Sequence, residues 1–190
     1  MEERCFLKEP NPVNIMEVVR GQEGKMYNRV GFEKVVKYFA YAMFVNLGAA
    51  IAFTAPIFLP RLQFPILLTE WPGIYIYIGY STFLIAGVLG MLAWAATYYL
   101  LWKVFNKDSC DKKVFYSQII VTNIGVYIAS IFMFAGGYQG AFYAHENFAA
   151  FIVGKIMEST VIPSAIGIAL SMLGNIFGLA NIFLILRAKN

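Results

Sequence analysis

The stretch IPSAIGIALSMLGNIFGLANIFLIL, from Ile162 to Leu186, decides the fold because none of its side chains is ionisable. A bilayer hydrocarbon core of about 30 Å needs roughly 20 helical residues, and an open strand would leave backbone polar groups unsatisfied there. Three further stretches, 38–59, 73–105 and 114–144, are long and apolar enough to cross in the same way. The sequence therefore predicts an all-α, polytopic membrane protein with a bundle of four transmembrane helices.

The composition supports this class. Hydrophobic residues make up 59% of the chain, charged residues make up 14%, and the mean hydropathy is +0.63. A soluble domain carries about 25% charged residues, so this chain is too apolar to be one. The formal net charge of +4 requires no nucleic acid partner, because the positions of the basic residues account for it.

Basic residues are unevenly placed along the chain. Of 15 Lys and Arg residues, only Arg61 and Lys155 fall in the two loops assigned to the outer side. The positive-inside rule then predicts that both termini are cytoplasmic. We divide the chain into a cytoplasmic N-terminal segment, 1–37, and a transmembrane domain, 38–190. We expect the N-terminal segment to form an interfacial helix or strap, with a partly ordered tail as the alternative. The first 30 residues lack the apolar region of a signal peptide, so we expect the first span to direct membrane targeting.

No ionisable residue lies at the centre of any span. Ionisable groups inside a membrane mark proton paths and ion sites, so their absence argues against a pump or an ion-coupled transporter. Cys5 and Cys110 fall on the predicted cytoplasmic side without a metal-binding motif, and we assign them no metal role. The principal polar groups inside the spans are Asn46, Thr54, Ser81, Thr82, Asn123, Ser130, Ser171 and Asn175.

Small and amide residues in the spans are candidates for helix packing. Gly174 and Gly178 form a GxxxG motif, which lets two helix backbones approach closely. The sequence leaves open whether this contact lies within the chain or against another subunit. The full set of packing candidates is Gly87, Gly90, Ser171, Gly174, Asn175, Gly178 and Asn181.

Aromatic residues cluster near the predicted span ends, where such rings anchor helices at the level of the lipid headgroups. We expect a lipid-facing belt from Tyr38, Tyr41, Phe58, Phe64, Trp71, Tyr75, Tyr77, Tyr98, Tyr99, Trp102, Phe105, Phe115 and Tyr116.

Three phrases occur in a distinctive order: VLGMLAWAATYYLLWKVF (88–105), TNIGVYIASIFMFAGGYQG (122–140) and PSAIGIALSMLGNIFGLANIFLILR (163–187). Together they resemble the C-terminal helices of haem-copper oxidase subunit I, closest to the cbb(3)-type oxidases and their nitric oxide reductase relatives. The resemblance covers roughly residues 73–187. It implies a membrane subunit of a respiratory complex in a prokaryotic cytoplasmic membrane.

The departures from that family bear on function. The family carries a His-x-His motif whose two histidines ligate two haems. When the chain is counted back from Tyr98 without gaps, the corresponding positions are Tyr80 and Thr82. The family's earlier helices, which supply the copper ligands and the remaining haem histidine, have no counterpart among four spans. This chain is therefore not expected to be an oxidase by itself, nor to bind a cofactor or metal alone.

The single histidine, His145, follows the third span on the predicted outer side. One interpretation is that His145, Glu146, Tyr138 and Gln139 contact a quinone or the haem of a partner subunit. The other is that His145 is an interfacial polar residue at a helix end.

The chain resembles this family but lacks the residues that ligate haem and copper, and this combination leads to one principal hypothesis. We expect a non-catalytic subunit that scaffolds or anchors the redox subunits of a respiratory complex, with cytochromes as partners. Three alternatives stay open: a quinone- or haem-contacting electron-transfer subunit that uses His145, a small oligomeric channel or transporter, and an adaptor without a respiratory link. A quinone or lipid at a subunit interface is compatible with each of them.

Overall fold

Four long helices and one small sheet make up the described part of the protein. The computed structural model describes residues 29–55 and 71–187. Helix α1 spans Phe32–Thr54, α2 spans Trp71–Lys103, α3 spans Lys112–His145 and α4 spans Ala150–Arg187. Strands β1, Arg29–Gly31, and β2, Ser109–Asp111, pair antiparallel. The N-terminal segment predicted to form an interfacial helix or strap lies outside the described residues as far as residue 28.

All four helices are long and apolar enough to cross a membrane. Each has at least 23 residues, against the roughly 20 that a bilayer requires. Large apolar side chains remain exposed on every helix, among them Val45, Leu92, Ile124 and Leu179. Helices that are hydrophobic on all faces belong in lipid or in a protein core, so the expected multi-pass membrane fold is confirmed at this level.

The helices alternate in direction, so the bundle has two ends. At one end, which we call the sheet end, the β1–β2 pairing places Val30 opposite Cys110 and ties the start of α1 to the α2–α3 connection. There the Asp111 carboxylate caps α3 by accepting hydrogen bonds from the backbone amides of Lys113 (2.9 Å) and Val114 (3.1 Å). The opposite end holds the end of α3 and the start of α4.

Glycines allow the closest helix approach, which joins α3 to α4. A methyl group on Gly125 would come within 2.6 Å of the Gly167 carbonyl oxygen, and one on Gly174 would come within 2.6 Å of the Thr122 amide nitrogen. Helix α3 also packs against α2, and α2 packs against α1. Within the described residues, α1 and α4 make no comparable backbone contact.

Each helix begins before the span read from hydropathy, and α2 ends at Lys103, two residues before its predicted end. Helix α4 begins at Ala150, twelve residues before the predicted start at Ile162, and therefore includes Lys155 and Glu158. Its 38 residues correspond to about 57 Å, longer than the hydrocarbon core. Helix α1 begins at Phe32 rather than at residue 38. Hydropathy detects the lipid-embedded part, whereas a helix continues wherever its backbone hydrogen bonds do.

Two aromatic residues assigned to the lipid-facing belt are buried instead. Tyr98 and Phe115 are both 0% exposed and belong to a core cluster at the sheet end. Tyr38, Trp71 and Tyr77, by contrast, are exposed. Proximity to a span end therefore predicted exposure correctly for some aromatic residues and wrongly for these two.

Candidate functional site

The residues predicted to contact a quinone or haem lie along the last turns of α3. Tyr138 and His145 are seven residues apart and half-buried, so they share one face of the helix. Gln139 and Glu146 are exposed and lie on an adjacent face. Glu146 follows the last residue of α3, and its backbone amide donates to the carbonyls of Phe142 and Ala144. The arrangement places the four residues near one another, and a cofactor role for them stays a prediction.

The positions that would carry haem ligands in the oxidase family are part of the helix packing. Tyr80 packs against a cluster of Ala50, Phe83 and Val126, and Thr82 is half-buried directly before a π-helical segment. Across residues 29–55 and 71–187, no group of three or more His, Cys, Asp or Glu side chains lies close enough together to hold a metal ion.

A π-helical segment in α2 is stabilised by an asparagine from α1. Residues Phe83–Leu89 form the segment, and Asn46 Nδ2 donates to the Gly87 carbonyl oxygen at 2.7 Å. Asn46 Nδ2 also donates to Asn123 Oδ1 at 2.8 Å, while Asn123 Nδ2 donates to the Ile119 carbonyl at 2.7 Å. Widening of a helix shifts its backbone hydrogen bonds, and side chains of neighbouring helices then satisfy the freed groups.

A second polar cluster, at the sheet end, joins three helices around Tyr98. The Tyr98 hydroxyl donates to Gln118 Oε1 at 2.8 Å and accepts from Asn181 Nδ2 at 3.0 Å. All three side chains are 0% exposed. The Tyr98 ring stacks on Phe39, with ring centroids 5.5 Å apart. Buried polar groups in such a setting fix a single register between helices, because any other register would leave them unpaired.

Cys110 borders this cluster and is 2% exposed. Burial raises the pKa of its thiol from the ordinary 9.0 to about 12, while a hydrogen bond with Asn181 acts in the opposite direction. A protonated, buried thiol is a poor nucleophile and a poor metal ligand.

Sequence inspection did not single out Gln118, although it is central to this cluster. It lies one turn before Thr122 on the face of α3 that meets α4, so the two form a polar i, i+4 pair. Gln118 Nε2, Asn181 Oδ1, Thr122 Oγ1 and Ser130 Oγ are buried, and no protein group of the described chain pairs with them. This polar pair on the face of α3 that meets α4 is the signal that could have identified the site.

The predicted packing residues of α4 meet α3 and α2 of the same chain. Gly174 lies against Thr122, and Gly178 lies against Gln118 and Trp94. Asn175 Oδ1 accepts from Trp94 Nε1 at 2.8 Å, and Asn175 Nδ2 donates to the Ser171 carbonyl at 2.8 Å.

The other packing candidates occupy different settings. Gly87 faces Val126, and Asn181 belongs to the Tyr98 cluster. Gly90 is half-buried, and a methyl group there would lie 3.5 Å from the Ile85 carbonyl of its own helix.

A cavity of about 510 Å³ opens at the opposite end of the bundle, which we call the cavity end. It lies between the start of α2, the last third of α3 and the first half of α4. None of His145, Glu146, Tyr138 and Gln139 lines it. The residues that do are Trp71, Tyr75, Met133, Gly136, Gly137, Gly154, Met157, Glu158, Thr160, Val161, Ser164, Ala165 and Ile168.

Comparisons with protein families, with curated proteins and with solved structures found no match to this chain. The likeness to haem-copper oxidase subunit I accordingly depends on the sequence phrases alone.

Proposed function

We propose that this protein is a non-catalytic membrane subunit that scaffolds or anchors the redox subunits of a respiratory electron-transfer complex. The observation that carries the proposal is that the amide side chains inside the predicted spans form hydrogen bonds between helices. Asn46, Asn123, Asn175, Asn181 and Gln118 all hydrogen-bond to other helices of the same chain. Polar groups committed to packing are what an architectural subunit requires.

Charge placement supports an orientation with the sheet end in the cytoplasm. At the cavity end, Lys155 is the one Lys or Arg residue of the described chain. Basic residues remain on the cytoplasmic side of a membrane, so both termini are cytoplasmic in this proposal. The described basic residues at the sheet end are Arg29, Lys34, Lys37, Lys103, Lys107, Lys112, Lys113 and Arg187.

Helix α1 is the proposed contact surface for partner subunits. It is the least buried of the four helices and lacks a close backbone contact with α4. Tyr41, Phe44 and Ile51 are more than 60% exposed along it. Between them lies Gly48, where an added methyl group would meet no atom within 4 Å. Small residues at a free helix face permit another helix to approach closely.

The proposal is tested by purifying the protein from its native membrane in mild detergent and identifying the co-purifying chains. We expect stoichiometric cytochrome-bearing subunits. Recovery of this chain without any redox subunit would contradict the proposal.

Two glycine variants sharpen the test, because a methyl group added at either glycine would meet no other atom of the described chain within 4 Å. Gly48→Leu should leave the fold intact and reduce recovery of the partner subunits. Gly154→Leu, on α4, is the matched control and should leave recovery unchanged. Equal recovery with both variants would remove α1 as the partner surface.

A further inference from the structure

The cavity at the cavity end has the dimensions of a ligand site. Its volume of about 510 Å³ falls in the range of roughly 300–1,000 Å³ typical of small-molecule pockets. Val161 and Ile168, which are 58% and 40% exposed, form part of its wall. The cavity therefore opens sideways, toward the surface that lipid covers in a membrane-spanning protein.

The lining is apolar apart from one charge. The Thr160 hydroxyl donates to the Met157 carbonyl at 2.7 Å, and the Ser164 hydroxyl donates to the Thr160 carbonyl at 2.7 Å. Glu158 is the one charged lining residue, and it is exposed. No ion pair formed within residues 29–55 and 71–187 engages it. Lys155, one turn away on α4, does not line the cavity.

The length of the cavity matches one leaflet of a bilayer. From Glu158 to Ile168, α4 rises through ten residues, about 15 Å at 1.5 Å per residue. Half of a hydrocarbon core of about 30 Å is the same length. Trp71 and Tyr75, at the start of α2, are of the residue types found at the headgroup level. An acyl chain lying along α4 would thus fill the cavity with its head group beside Glu158.

We propose that this cavity binds one acyl chain of a membrane lipid whose head group carries a primary amine, with the ammonium donating hydrogen bonds to the Glu158 carboxylate. Hydrogen bonds between two charged groups are the strong ones, and a quaternary ammonium has no N–H to donate. The site therefore discriminates phosphatidylethanolamine from phosphatidylcholine. It is independent of the proposed redox partners.

Fluorescence of Trp71 provides the test, because this ring lines the cavity. The full chain is reconstituted into vesicles of equimolar phosphatidylcholine and phosphatidylethanolamine, and bromine quenchers are placed on the acyl chains of one lipid or the other. The Trp71 contribution is the difference between the wild type and Trp71→Phe. We expect apparent affinity to be about two- to fivefold higher for the amine lipid, the range for a partly exposed ion pair.

Two variants test the carboxylate and the cavity separately, and a third is a control outside the site. Glu158→Gln keeps the shape and should remove the preference between the two lipids. Gly154→Leu enlarges a residue that lines the cavity, has room for the added side chain, and should reduce quenching by both brominated lipids. Gly48→Leu is the matched control on α1 and should behave as the wild type.

Equal quenching by the two brominated lipids in the wild type would overturn the proposal. So would a preference that survives in Glu158→Gln, or undiminished quenching in Gly154→Leu. Because Glu158 is exposed, Glu158→Gln tests the head-group contact without changing the apolar walls of the cavity. A loss of lipid preference with partner recovery intact would leave the scaffold proposal standing.

Discussion

The two ends of the bundle are built differently. At the sheet end, Tyr98, Gln118 and Asn181 are fully buried, and Phe39 and Phe115 pack around them. At the cavity end, the space between α2, α3 and α4 remains open over about 510 Å³. The difference indicates that one end fixes the relative positions of the helices, whereas the other leaves room for a lipid. Substitutions at the sheet end should therefore affect stability, and those in the cavity should affect binding.

The largest effect is expected at the α3–α4 contact. Gly167→Leu would place its side chain against the Ala129 backbone, which cannot move without separating the helices. Overpacking typically costs about 1–3 kcal/mol, and we expect at least the upper part of that range. Thermal unfolding in detergent, followed by circular dichroism, measures the change. Gly154→Leu on the same helix is the control, and equal loss of stability in both variants would contradict the assigned contact.

Tyr98→Phe should have the next largest effect. The change removes the donor to Gln118 Oε1 and the acceptor for Asn181 Nδ2, both buried. Leaving buried partners unsatisfied costs about 1–3 kcal/mol. Tyr99→Phe, at an exposed neighbouring ring, should leave the unfolding temperature unchanged. Equal unfolding temperatures for the two variants would contradict a stabilising role for the Tyr98 hydroxyl.

Asn46→Leu should destabilise the protein less, because the groups it leaves without a donor are one backbone carbonyl and the amide oxygen of the half-buried Asn123. It would leave the Gly87 carbonyl and Asn123 Oδ1 without this donor. Interhelical hydrogen bonds in membranes contribute about 0.6 kcal/mol on average, and up to about 1.7. Thr97→Val, which loses a bond only within its own helix, is the control. Faster amide hydrogen exchange over 83–89 in Asn46→Leu alone is the expected result.

At neutral pH the smallest effect is that of Cys110, because its contribution changes only as the pH rises toward 9. Its pKa is about 12 in the folded protein and 9.0 ordinarily, so the folded state retains the proton over this interval. The stabilising contribution is fully present below pH 9 and decreases as the pH rises toward 12. Cys110→Ala should consequently lose less stability than the wild type between pH 8 and 10.5. Parallel pH profiles would show that the thiol is accessible to solvent.

Hydropathy predicted the four helices because a run of apolar residues is sufficient to specify a membrane span. It did not predict helix ends, since Lys155 and Glu158 continue α4 outside the apolar stretch. The cavity was missed for this reason, because Glu158 had been assigned to a loop. The strands at Val30 and Cys110 were also missed, since three-residue runs carry no periodic signal.

The polar clusters were only partly predictable. Asn46, Asn123 and Asn175 were recognisable as amides inside apolar spans, but their partners depend on the rotation of each helix about its axis. Tyr98 was assigned to the lipid-facing belt because its position along the chain is near a span end. Burial of that ring depends on Phe32 and Phe39 of α1, which the sequence alone does not bring next to α2.

The central proposal is that these helices serve as architecture rather than as a redox centre. The most direct measurement is a reduced-minus-oxidised absorption spectrum of this chain after separation from its partner subunits, together with a haem extraction. We predict no haem signal in the isolated chain, with cytochrome bands retained by the partner fraction. A stoichiometric Soret band in the isolated chain would contradict the account.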